Sequence, residues 1–81
     1  MFYQIETYLI QNVKTAIYKK LGEEIRKLRK ERNLTQEKLA ELTKIDPKSI
    51  VDIETGKRNP TLKTITKIAQ ALKAAIVNLL N

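Results

Sequence analysis

Residues 34–56 read LTQEKLAELTKIDPKSIVDIETG, and the spacing of start and stop signals within them decides the fold. Thr35 stands where a hydroxyl accepts a hydrogen bond from the next turn's backbone, as an N-cap does. A short helix over 36–43 follows it, with Leu39, Ala40 and Leu42 apolar. Asp46 caps the next helix. Pro47 takes that helix's first position, where a missing N–H leaves nothing unsatisfied. Ile50 and Ile53 mark its inner face, and Gly56 ends it. Two short helices joined by only a few residues are therefore expected.

Reading outward, Leu21, Ile25 and Leu28 recur at helical spacing and place a helix over 21–32. Asn33 is a suitable stop, because Asn tolerates a left-handed backbone. Glu23 and Glu24 suit the first turn of a helix opening at Leu21, where the macrodipole favours negative charge. Downstream, Arg58, Asn59 and Pro60 form a turn and Thr61 caps a helix whose inner face is Leu62, Ile65, Ile68, Ala69 and Leu72. Ile76, Leu79 and Leu80 extend the apolar pattern to the end, with no Gly, Pro or capping residue near Lys73 to mark a break.

The segment before Leu21 reads separately. Ile5, Leu9, Val13, Ile17, Leu21 and Ile25 recur every four residues, with Phe2, Tyr3, Tyr8 and Tyr18 adding aromatic surface. That pattern predicts an amphipathic helix over about 3–19, with Gly22 as a candidate kink. Packing on the domain's own core is the leading reading for its apolar stripe. A dimer seam comes second and a membrane-surface helix a distant third. The expected organisation is an N-terminal helical extension over 1–20 and one domain over 21–81, all-α in class.

Composition narrows the chemistry. The chain has 81 residues, no Cys and no His, so thiolate chemistry is excluded and the commonest general base and transition-metal ligand are missing. No catalytic residue, metal site or cofactor is expected: the nine carboxylates show no paired spacing beyond ordinary helix surface, and no Gly-rich phosphate loop occurs. Lys and Arg outnumber Asp and Glu by 16 to 9, for a net charge of +7, which suggests a polyanionic partner. The charge is uneven. Segments 14–32 and 57–81 each carry +5, whereas 33–56 carries −2, so the positive surface flanks the middle helix pair. No stretch approaches an export signal or a membrane span, which makes a cytoplasmic protein without membrane contact the expectation.

A short helix bracing a second one is the geometry of a helix-turn-helix. The chain also resembles a known family at this point. Leu21, Gly22, Ile25, Leu28 and Arg29 form its first block; Leu34, Thr35, Gln36, Leu39 and Ala40 form the second. Ser49, Ile50, Ile53, Glu54, Gly56, Lys57, Arg58 and Pro60 complete the likeness. Together they are similar to the phage repressor/Cro-type, or XRE-family, DNA-binding domain, from about Leu21 to Leu80. The resemblance implies a five-helix, lambda-repressor-like domain, to which residues 1–20 add an extra amphipathic helix. It also implies that the third family helix, here 47–55, enters a major groove. Arg29 and Glu54 match family positions that pair as a structural salt bridge.

On that third helix, i, i+3, i+4, i+7 spacing puts Lys48, Val51, Asp52 and Thr55 on one face, opposite Ile50 and Ile53. Lys48 suits guanine, Val51 a thymine methyl and Asp52 the cytosine amino group, with Pro47 at the edge of this base-reading set. The competing reading makes Lys48 and Asp52 an exposed i,i+4 ion pair. Thr35 and Gln36 open a helix whose free N–H groups attract phosphate. Lys44, Ser49, Thr55, Lys57, Arg58 and Asn59 complete the expected backbone contacts. The family often has Gly in the turn between its second and third helices; Lys44 takes that place here.

The function expected is a sequence-specific DNA-binding transcriptional regulator, a repressor in the first instance, acting as a homodimer on a palindromic operator. The alternative is a protein-interaction helix-turn-helix module, such as an antitoxin or a transcriptional bridging factor, with the N-terminal helix meeting the protein partner.

Overall fold

The structure, a computed structural model, describes residues 2–73, with side chains from Ile5 onward. It is all-helical, with four helices in the described residues: α1 (Phe2–Glu31), α2 (Gln36–Thr43), α3 (Pro47–Glu54) and α4 (Leu62–Leu72). No strand occurs among them. The fifth helix that the resemblance implies falls on residues 74–81, outside the described residues.

The expected boundary between an N-terminal helix and a second one at Leu21 does not exist as a break. A single helix of 30 residues runs from Phe2 to Glu31, through Gly22. Such a helix is about 45 Å long at 1.5 Å per residue, which accounts for the molecule's long dimension of 47 Å. Glu23 and Glu24 therefore lie in mid-helix, and the first-turn dipole role expected for them is lost. Gly22 also permits a close approach. A Cβ there would collide with the Ile53 carbonyl oxygen and come within 2.6 Å of the Glu54 carbonyl oxygen. The glycine lets α1 lie directly on the last turn of α3, and that approach offsets the helix propensity lost by using Gly.

The core is one cluster made by all four helices: Leu21 and Ile25, Leu39 and Ala40, Ile50 and Ile53, and Ile65, Ile68, Ala69 and Leu72, with Leu28, Leu34, Ile45 and Ala71 packed around it. Ile25, Leu39, Ile50, Ile68 and Leu72 are fully enclosed. Leu62, expected on the inner face of α4, is instead exposed. It occupies the helix's first position, a turn beyond Ile65 where the core has already ended, and Pro60 is the buried residue of that connection. The α1 stripe departs further from expectation. The periodicity favours packing on the core, yet Ile5, Leu9, Val13 and Ile17 all remain more than half exposed. On α1 full burial begins at Leu21, with Tyr18 half-buried just before it; among the described residues the rest of the domain meets the helix from about Tyr18 onward.

The local signals hold. Thr35 accepts from the Lys38 N–H at 3.0 Å, Asp46 from the Lys48 N–H at 3.0 Å and Thr61 from the Thr64 N–H at 3.2 Å. Asn33 ends α1 at φ 55°, and Gly56 follows α3 at φ 76°. Lys44 closes α2 in the left-handed region at φ 57°, its N–H donating back to the Ala40 and Glu41 carbonyls. The turn thus keeps the geometry that suits Gly while carrying a side chain. Lys73 adopts the same conformation at φ 54° and ends α4, which locates a break that no residue type announces.

Two stability predictions follow from this packing. Gly22→Ala forces α1 away from α3 and should cost about 1–3 kcal/mol, as overpacking of a close contact does, read as a lower urea midpoint. Lys44→Gly relieves a left-handed non-glycine residue and should raise stability by about 1 kcal/mol, checked in the same denaturation series.

Candidate nucleic-acid interface

The interface is built around the end of α3, where a buried carboxylate gathers three helices. Arg29 Nε donates to Glu54 Oε2 at 2.7 Å and Arg29 Nη2 to Glu54 Oε1 at 3.1 Å, a two-pronged pair spanning α1 and α3. Both side chains are nearly enclosed, at 9% and 2% exposure. The third guanidinium nitrogen, Nη1, donates to the Leu34 carbonyl at 2.7 Å and so fixes the chain entering α2. Gln36 Nε2 adds a bond to Glu54 Oε1 at 3.1 Å. Among the described residues no buried side-chain nitrogen or oxygen is left without a partner. That condition is the one under which a buried ion pair holds structure rather than weakening it.

With its inner side held by Ile50, Ile53 and Glu54, α3 turns its other face to solvent. Pro47, Lys48, Val51 and Thr55 are exposed and Asp52 is half-buried. No ion pair joins Lys48 to Asp52 among the described residues, so both ends of this row are available to other groups. Val51 is 39% exposed, an apolar contact point between two polar ones. Asp46 is committed to capping, which places its negative charge at the start of the same helix. Thr55, though exposed, has its hydroxyl donating to the Val51 carbonyl one turn back at 2.9 Å.

The flanks supply cations and N–H groups. Thr35 and Gln36 sit at the N-terminus of α2, but the Gln36 amide is bonded to Glu54, so the helix's free N–H groups remain as its contribution there. On the other side Arg58 Nη1 donates to Ser49 Oγ at 2.6 Å. That bond draws the Lys57–Arg58–Asn59 loop onto the side of α3 and joins two residues that sequence reading treats as separate phosphate contacts. Lys44 is exposed at the end of α2. The structure thus brings Lys48, Val51 and Asp52 together on one row, with Ser49 and Arg58 bonded beside it. It ties Gln36 and Thr55 into the protein's own bonding.

One neighbour of this loop escapes sequence reading. Gly56 lies against α1 so closely that a Cβ would be 2.9 Å from the Cα of Lys19. Lys19 therefore stands next to the start of the loop, although 37 positions separate it from Gly56 in the chain. The only signal available beforehand was the surplus of bases in 14–32.

Short paired helices, a braced outward face and cations on both sides define a helix-turn-helix module. The chain belongs to the helix-turn-helix family HTH_3, which it matches over residues 25–77. It is 42% identical over 52 residues to the immunity repressor protein of Bacillus phage phi105, covering 64% of this chain and 36% of the repressor. The chain thus spans little more than a third of that relative's length. It is 38% identical over 60 residues to control protein C.SmaI of Serratia marcescens, covering 74% of this chain and 71% of the relative. Among solved structures it is similar to the restriction-modification controller protein C.AhdI of Aeromonas hydrophila. The identity is 38% and the TM-score 0.77, over 79% of this chain and 97% of that one.

The buried pair gives a sharp stability test. Glu54→Ala leaves Arg29 charged and enclosed and should cost about 3–5 kcal/mol. Replacing both partners together, by Arg29→Met and Glu54→Leu, should cost less than that single change, as double-mutant denaturation curves would reveal.

Proposed function

We propose that this chain is a sequence-specific DNA-binding transcriptional regulator that lays α3 in the major groove and acts as a homodimer on a two-fold operator. The observation that carries the reading is the row Lys48, Val51 and Asp52, solvent-facing on a helix whose opposite side is fixed by the core and by Glu54. A reading helix must be rigid before it meets the duplex, since side chains that order only on binding lose affinity to entropy. In this arrangement Lys48 donates to guanine O6 and N7, Val51 meets a thymine methyl and Asp52 accepts from the cytosine amino group, with Pro47 at the leading edge.

Phosphate contacts flank that row. The α2 N-terminus at Thr35 and Gln36 presents N–H groups to one strand. Lys57, Arg58 and Asn59, with Ser49 held beside them, serve the neighbouring phosphates, and Lys44 adds charge from the turn. Dimeric action then sets half-sites about 34 Å apart, one turn of the duplex. The repressing role follows the name of the phage relative. Support for the reading comes from the family, the charge of +7 and the arrangement of these groups.

A second reading, a protein-interaction module, draws on the exposed stripe of α1. A protein partner recovered in stoichiometric amount, together with no duplex binding at low salt, would favour it.

The direct experiment compares variants on an operator selected from random duplexes and on a scrambled duplex. Lys48→Ala should cost about 1–3 kcal/mol on the operator and little on the scrambled site. Lys57→Ala should weaken both alike and lower the salt dependence by about one counterion. Equal losses on both duplexes for Lys48→Ala would remove it from base reading.

A further inference from the structure

We propose that residues 5–17 of α1 form a dimer seam, in which the stripe of one chain crosses the same stripe of a second copy in antiparallel orientation. The inference rests on the homodimeric reading above and gives it a surface. At about 100° per residue, Ile10, Ile17, Glu6, Val13 and Leu9 follow one another across about 100° of the helix surface, with Ile5 just beyond. Ile5, Leu9, Ile10, Val13 and Ile17 are 52–57% exposed, and Tyr8 beside them is 67% exposed. An exposed apolar face of this extent on a small domain, interrupted by Glu6, marks an interaction surface.

The segment also needs a cover to persist as helix. Ile5, Thr7, Tyr8, Ile10, Asn12, Val13, Thr15, Ile17 and Tyr18 are all mediocre helix formers. A run of that composition is stabilised by packing its apolar face rather than by propensity. Among the described residues the domain's own core ends at Leu21 and leaves the stripe exposed.

Charge identifies the occupant. Glu6 and Lys14 are the two charged residues of the segment, so it is neutral while the chain as a whole carries +7. A neutral face suits neither a strongly acidic partner nor an anionic membrane, which attracts helices with many Lys and Arg on the polar side. It does suit its own copy. Glu6 lies within the stripe and Lys14 at its edge. With the two-fold axis near Ile10, Glu6 of each copy is level with Lys14 of the other, whereas a parallel pair would set Glu6 against Glu6. Such self-complementarity is what a two-fold interface requires.

Geometry and area agree. Ile5, Leu9, Val13 and Ile17 form one i±4 row, and two such rows interlock at a crossing of about −50°. Each aliphatic side chain in the row has more than half its surface to lose to the partner. Two copies together bury on the order of 1,000 Å², the size at which an interface becomes specific.

Sedimentation velocity on the full chain at tens of micromolar tests the seam, beside circular dichroism. The wild type should run as a dimer. Leu9→Gln with Val13→Gln should weaken association by about 100-fold, since each removes an apolar anchor. Glu6→Lys should weaken it about threefold at low salt, and adding Lys14→Glu should restore it. A monomeric wild type, or a Leu9→Gln/Val13→Gln variant that stays dimeric, would overturn the seam. A charge swap without restoration would overturn its antiparallel register. Binding to a single half-site duplex keeps the two proposals apart. It needs one α3 and no partner, so its absence in the wild type counts against DNA reading and leaves the sedimentation result standing.

Discussion

Glu54 accepts three hydrogen bonds at the last turn of α3, two from Arg29 on α1 and one from Gln36 at the start of α2. The same arginine holds the Leu34 carbonyl, so one carboxylate and one guanidinium set the relative positions of α1, α2 and α3. Apolar packing alone is non-directional. It would hold these three helices together without fixing the rotation of α3 about its own axis. The buried pair supplies that direction, because a bidentate contact between two planar groups tolerates little rotation. Gly22 is the companion constraint: it lets α1 approach the Ile53 and Glu54 carbonyls closely, two turns before Arg29 meets the Glu54 carboxylate. The outward orientation of Lys48, Val51 and Asp52 is thus a consequence of an interaction on the opposite side of the same helix.

What was legible in the sequence was local. Thr35, Asp46 and Thr61 were readable as caps because each bonds a backbone N–H two or three residues away. Pro47 and Gly56 were readable because their backbone preferences act where they stand. Pairings across the fold were not readable from pattern. Arg29 and Glu54 lie 25 residues apart and were named only through a family resemblance. The Gln36–Glu54 and Ser49–Arg58 bonds went unnamed, and both change how a proposed phosphate contact is to be understood.

The misreadings share a cause. The close approach at Gly22 is invisible until the carbonyls facing it are known. The four-residue period of the N-terminal stripe shows that an apolar face exists, but periodicity carries no information about what lies opposite it. Leu62 continues the arc of Ile65, Ile68 and Leu72, and only the position of the core's edge decides that it faces water. In each case the missing quantity was the location of a surface contributed by another part of the chain.

The continuity of α1 has a mechanical consequence. An unbroken rod joins the outlying stripe to the core, and it is clamped at two points: Gly22 on the end of α3 and Lys19 against Gly56. It contains no proline or slack joint at which a disturbance would dissipate. Any force applied at the far tip therefore acts as leverage on α3 and on the loop beside it, with Leu21 and Gly22 as the fulcrum.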